Sequence, residues 1–245
     1  MADLEYRMNF AIRIFTDVIW YIAQLSVFEV LFLHTNQIAG WTVETMRFFM
    51  GVLFLVDAIY MVLFHENLDR LSDKVAKGDL DMLLVKPINS QFMISLQKFS
   101  TAYLGNVLLS ASWLAYAGYH LSQNIFPQIF SLLLLLPCSV LIPYCIRFFF
   151  ATVSVIYVRA ENVNYLWYEM YRLGTRPDNI YPAWLRYLVL TAIPVGFIAS
   201  VPARIVISGM NWGLIFSAWG ITLTLLFLIN KFWTFALKRY SSASS

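Results

Sequence analysis

Glu29, Asp57 and Arg147 stand inside long apolar runs of this sequence. A charge in a hydrocarbon environment is costly and is kept where it pairs or meets water, so each is a candidate functional residue. One reading pairs Arg147 with an acid across a helix bundle. Another sets the three charges along a water-lined path. Other chemistry-bearing residue types are dispersed. His34, His65 and His120 each stand alone at the edge of an apolar run, without metal-ligand spacing. Cys138 and Cys145 lie on one helical face about two turns apart, too far for a disulfide. No glycine precedes a lysine, which excludes a G-x-x-x-x-G-K-[ST] phosphate loop, and neither G-x-S-x-G nor H-E-x-x-H occurs. The residues thus offer no catalytic set, no metal site and no cofactor site.

The elements that position these charges are membrane helices. Of 245 residues, 60% are hydrophobic and 13% charged, with a mean hydropathy of +0.67. Soluble domains have about 45–50% apolar and about 25% charged residues. The net charge of +3 is small, and basic residues do not gather with aromatics, so nucleic acid is not an expected partner. Aromatic residues, 17% of the chain, read as lipid-facing or interfacial, including Tyr165, Trp167, Tyr168 and Tyr171. The N-terminus carries acidic residues and lacks a small-residue cleavage site, so it does not read as a signal peptide.

A membrane helix needs about 20 mostly apolar residues. Clear candidates are 14–34, preceded by an amphipathic stretch with Arg7 and Arg13, then 47–64, 99–120, 128–158 and 212–233. Pro137 and Pro143 are tolerated in the fourth as kinks. Lysine and arginine mark the cytoplasmic side. The interval 65–98 holds Arg70, Lys74, Lys77, Lys86 and Lys98, whereas the link 121–127 holds none. With Arg7 and Arg13 before the first span and Lys238 and Arg239 after the last, both termini are expected in the cytoplasm, which requires an even number of spans. One more must lie between residues 159 and 211. Hydropathy picks 187–207 and leaves 159–186 in the cytoplasm. The alternative returns the chain through 164–179 and makes 187–207 a hairpin dipping in from outside, broken at Pro194, Gly196 and Pro202.

The interval 65–98 is polar but structured. Leu68, Leu71 and Val75 fall at helical spacing among Glu66, Asp69, Asp73 and Lys74, which describes an amphipathic helix along the inner face. Gly78 ends it, Leu80 opens a second apolar patch, and Pro87 precedes an Asn89 or Ser90 cap on the third span. Such a helix either anchors the loop at the interface or seats in a cytoplasmic motor protein.

The run Lys77-Gly-Asp-Leu-Asp-Met-Leu-Leu-Val-Lys-Pro87 resembles the G-x-L-D-x-L-L-x-[RK]-P signature in the first cytoplasmic loop of a branch of type-2 ABC exporter permeases. Val158-Arg-Ala-Glu-Asn-Val163, with Arg159 and Glu161, is similar to their charged cytoplasmic tip after the fourth span. The segment with Pro182, Arg186, Pro194, Pro202 and Arg204 resembles the one before their last span, where the family places a re-entrant outer hairpin. The resemblance spans essentially the whole chain.

It implies an all-α integral membrane protein, a single permease domain over residues 1–245. Its parts are six transmembrane helices, an amphipathic N-terminal segment, a coupling loop at 65–98 and a re-entrant hairpin at 183–208. It favours the fifth span at 164–179. It further implies an exporter subunit in the bacterial cytoplasmic membrane, paired with a second copy or a paralogous permease in membrane lipid. Two separate ATPase subunits would carry ATP and Mg, and the chain would hold no cofactor. The expected coupling residues are Leu68, Leu71, Val75, Gly78, Asp79, Leu80, Asp81 and Pro87. A membrane-embedded enzyme and a non-transporting assembly subunit are the alternatives.

Overall fold

In the computed structural model residues 2–121, 126–156 and 161–240 are described, and among them every regular element is helical. The expected N-terminal segment and first span form one rod, α1 (Ala2–Phe32). A short turn leads to α2 (Val43–Tyr60), where Thr42 and Thr45 exchange hydroxyl and backbone hydrogen bonds as a reciprocal N-terminal cap. A π-helical turn, Met61–His65, carries α2 directly into α3 (Glu66–Asp69). Single π turns recur at functional sites.

The expected amphipathic helix over residues 68–75 is two pieces. Arg70 (φ −82°, ψ −1°) separates α3 from α4 (Leu71–Ala76). Gly78 follows at φ +76°, a left-handed conformation that suits glycine, and starts α5 (Asp79–Leu84). Asn89 accepts the Phe92 N–H at 3.1 Å, but it caps a separate short helix, α6 (Ser90–Ser95), and not the third span. After a 3-10 turn come α7 (Leu104–Tyr119), α8 (Phe126–Ile156) and α9 (Glu161–Gly174). Then follow α10 (Ala183–Leu190), α11 (Ser200–Ser208) and α12 (Trp212–Arg239).

Among the described residues four helical stretches are long and apolar enough to cross a membrane: Phe15–Phe32, Val43–Val75, Ile129–Ile156 and Trp212–Arg239. The protein is therefore all-helical with several candidate membrane spans. The 16 residues of α7 extend about 24 Å and the 14 of α9 about 21 Å, less than a hydrocarbon core of about 30 Å. Residues 187–207 do not form the continuous helix that hydropathy suggests. The chain breaks between Leu190 and Ser200, around Pro194 and a 3-10 turn at Val195–Phe197. Pro202 falls in the first turn of α11, where its missing N–H costs no hydrogen bond.

The hub is α8, which touches α2, α3, α4, α9, α11 and α12. Its 31 residues reach about 46 Å, so it extends beyond an apolar layer and meets both the polar interval and the broken segment. A second tight seam joins α2 to α7 at Gly51, where a Cβ would lie 3.0 Å from the Leu114 backbone. Small residues allow such close approach between membrane helices. Gly51→Val should lower stability by about 1–3 kcal/mol through overpacking. Gly220→Val should not, because nothing lies within 4 Å of a Cβ there. Thermal unfolding of the two variants in detergent checks the difference.

Candidate functional site

The polar interval is bolted to the bundle by buried polar contacts. Arg147 of α8 is 2% exposed and meets Asp69 of α3, with Nη2 at 2.5 Å and Nε at 3.1 Å from Oδ1. His65 Nδ1 lies 3.3 Å from the other oxygen of the same carboxylate. A turn further along, Ser72 of α4 donates to Ser154 of α8 at 3.0 Å. Asn67 closes the interval on itself: its amide donates to the carbonyls of Ser95 and Lys98, and its oxygen accepts the Lys98 N–H at 3.1 Å. On α6, Ser95 and Gln91 share the Tyr144 hydroxyl of α8, and Asn230 of α12 donates to Gln91 at 3.0 Å.

This anchoring changes the role of the expected coupling residues. Leu68, Leu71 and Val75 are 1%, 0% and 3% exposed, and Leu80 is also buried, so the apolar stripe already faces the protein's own core. It seats the interval and offers no free surface. Outward-facing apolar side chains come later: Met82, Val85, Ile88 and Phe92, with Val85 the most exposed at 86%. Lys77, Asp79, Lys86 and Pro87 are exposed beside them, while Asp81 is half-buried.

Each of the three expected intramembrane charges has a partner. Glu29 accepts from Arg47 through two parallel bonds of 2.5 and 2.9 Å, the bidentate geometry that makes such pairs strong. Asp57 accepts from the Tyr171 hydroxyl of α9 at 2.7 Å. Arg147 pairs with Asp69, an acid of the interval 65–98 near the end of the helical stretch that continues α2.

The broken segment is centred on Asp178, a residue that sequence reasoning did not single out. Its side chain is fully buried and accepts from Arg186 of α10 at 2.8 Å, from Arg204 of α11 and from the Ser200 hydroxyl. The Asp178 N–H in turn donates to Ser200 Oγ at 3.1 Å. One carboxylate thereby ties both arms of the segment together. The interrupted backbone is satisfied locally: Ile193 N–H meets Leu188 O at 3.0 Å, and Ser139 of α8 donates to Phe197 O at 2.9 Å. At Gly174 a Cβ would lie 2.8 Å from the Val195 carbonyl oxygen, so the end of α9 presses on this turn. Burial raises the Tyr181 phenol while Arg176 and Arg172 pull it down, and the protonated hydroxyl donates to Leu173 O at 2.9 Å.

Of the other expected residues, Arg159 lies outside the described residues, and only the helical backbone is described for Glu161. Pro182 precedes α10 as its N-cap and Pro194 precedes the 3-10 turn. Asp69, Asn67 and Asp178 were the residues missed. The available signal for Asp178 was a single acid in the link before α10, with Arg186 and Arg204 following on either side of the break.

A family model described as ABC-2 family transporter protein matches residues 18–244. The chain belongs to that family. No curated protein and no solved structure matches it. Membership makes it, in general terms, a membrane permease component of an ABC-type transporter, a class that works with ATPase partners.

The pair of buried Arg147 and half-buried Asp69 gives a direct test. Asp69→Leu leaves the Arg147 guanidinium without its carboxylate and should cost about 3–5 kcal/mol, whereas Arg147→Met with Asp69→Leu should recover much of that loss. A double-mutant cycle on unfolding in detergent reads the coupling. Additive losses would show that the pair does not hold the interval to α8.

Proposed function

We propose that this chain is the membrane subunit of an ATP-driven exporter, and that residues 65–98 are the lever on which its ATPase acts. The observation that carries this reading is the seating of the interval on α8 through Asp69 and Arg147, with Met82, Val85 and Ile88 left facing outward. A lever needs both properties. It must be rigidly joined to a span that moves, and it must offer a surface to the motor. Leu68, Leu71, Val75 and Leu80 supply the joint. Gly78 supplies the turn between joint and surface. Asp79, Lys86 and Pro87, exposed among the apolar residues, supply the rim, and Asp81 lies behind them.

In this reading α1, α2, α8 and α12 cross the membrane at full length, α7 and α9 cross where the layer thins to meet their shorter helices, and α10 with α11 forms a hairpin entering from the outer side. Two features support the hairpin. Neither α10 at about 12 Å nor α11 at about 14 Å can cross a core of about 30 Å alone. At the break between them Ile193 N–H meets Leu188 O and Ser139 donates to Phe197 O, as irregular backbone at membrane depth requires. Both termini and the interval 65–98 lie in the cytoplasm of a bacterial cell, consistent with five Lys and Arg in that interval and Lys238 and Arg239 at the end of α12. The whole chain acts as one permease domain. A second permease, identical or paralogous, completes the path. ATP and Mg sit on the partner ATPase, so the chain performs no catalysis itself.

Two experiments test the reading. Val85→Asp combined with Ile88→Asp should reduce co-purification of the ATPase at least tenfold, a loss of about 1.4 kcal/mol, with membrane insertion unchanged. A normally bound and coupled ATPase in that variant would overturn the docking assignment. Leu71→Asp should instead destabilise the chain, since the side chain is buried. For topology, Asp73→Cys should resist a membrane-impermeant maleimide in intact cells and react after permeabilisation. Labelling without permeabilisation would overturn the orientation.

A further inference from the structure

A cavity of about 360 Å³ opens between α1, α2, α7 and α9. That volume falls within the range of small-molecule sites. Its walls combine two carboxylates, Asp17 of α1 and Asp57 of α2, with the rings of Tyr21, Trp167 and Tyr168. The aromatic group of α9, expected to face lipid, is in part turned inward: Trp167 is 4% exposed, whereas Tyr168 lies half at the surface. Tyr171 and Asn106 orient the acids by donating to Asp57 and Asp17, each at 2.7 Å. Neither acid has an ion-pair partner among the described residues, and the one basic residue on the wall, His65, is turned to Asp69.

Two buried polar atoms on residues of the same wall have no hydrogen-bond partner among the described residues. They are the Tyr60 hydroxyl and Asn106 Oδ1, on side chains that are 4% and 1% exposed. Unsatisfied buried polar groups are uncommon and point to a missing ligand or solvent partner. The cavity thus combines two acidic side chains with aromatic faces inside a membrane bundle, with two unpaired oxygens set just behind its wall. No group of three or more His, Cys, Asp or Glu converges among the described residues, so the donor set does not suit a bare metal ion. Aromatic faces with a nearby carboxylate suit an amine carried on an organic body.

We propose that this cavity binds an organic cation, a quaternary or protonated amine, with its charge beside Asp57 and Asp17 and its body against Trp167 and Tyr168. As a cargo assignment this rests on the permease reading above; as a binding site it does not.

The test uses the full chain in nanodiscs of uncharged phosphatidylcholine, with radiolabelled benzyltrimethylammonium as probe and neopentylbenzene, its neutral carbon isostere, as competitor. Saturable binding of the cation is expected, with the isostere competing at least tenfold more weakly. Asp57→Asn should weaken binding at least tenfold and Tyr168→Leu severalfold. Equal competition by the isostere, or unchanged affinity in Asp57→Asn, would overturn the proposal. Should Asp57→Asn fail to fold, Asp17→Asn and Tyr168→Leu decide: weakened binding in both supports the site, and unchanged affinity in both overturns it. Binding is read without an ATPase, so its failure leaves the permease reading standing, and loss of the ATPase association leaves the site standing.

Discussion

A guanidinium cannot shed its proton inside a protein, and Arg147 is the largest fully buried side chain among the described residues. Once α8 carries that charge into the bundle, an anion must follow it. The anion is Asp69, which belongs to the polar interval, so the interval folds onto α8 and cannot hang free. Everything else in residues 65–98 is consistent with that placement. Leu68, Leu71 and Val75 turn inward because α3 and α4 already lie against α8. Asn67 then closes the return at Ser95 and Lys98, and α6 is fixed between Tyr144 and Asn230. The face left outward is the later one, around Val85 and Ile88.

The same physics governs the other end. A chain that breaks its helix at Pro194 must find partners for backbone groups that water would otherwise serve. Leu188 O and the Ser139 hydroxyl serve two of them, and Asp178 separately holds α10 and α11 together through Arg186 and Arg204.

The apolar runs made the helical class and four long helices legible, because run length is a direct consequence of the thickness of a bilayer. The motif at Gly78 marked a turn, and the left-handed backbone there is the reason only glycine fits comfortably. Periodicity also located the stripe at Leu68, Leu71 and Val75, but a stripe says only that a face is covered, not by what. Here the cover is α8, and that assignment depends on a contact between residues 78 positions apart in the chain. Asp178 escaped notice for a related reason: its partners lie 8 and 26 residues away, at spacings that match no single helix. The aromatic group of α9 was read as lipid-facing because composition cannot tell Trp167, turned inward, from Tyr165, turned out.

What joins the two ends is one helix. Along α8, Ser154 meets α4, Arg147 meets α3, Tyr144 meets α6 and Ser139 meets the turn of the broken segment. Ser154 and Ser139 are separated by about 22 Å of helix at 1.5 Å per residue. A force applied to the polar interval therefore need not pass through a chain of side chains to reach the far end. It is carried by α8 itself, whose backbone is stiff except at Pro137 and Pro143. Those prolines lie on either side of Ser139, so the point where α8 can bend is also the point where it holds the broken segment. In the proposed exporter, bending at that position would convert a pull on the interval into displacement of the hairpin. The broken segment would follow α8 because its arms are short, held to each other by Asp178, and packed against α8 through Phe197, Val201 and Ile205.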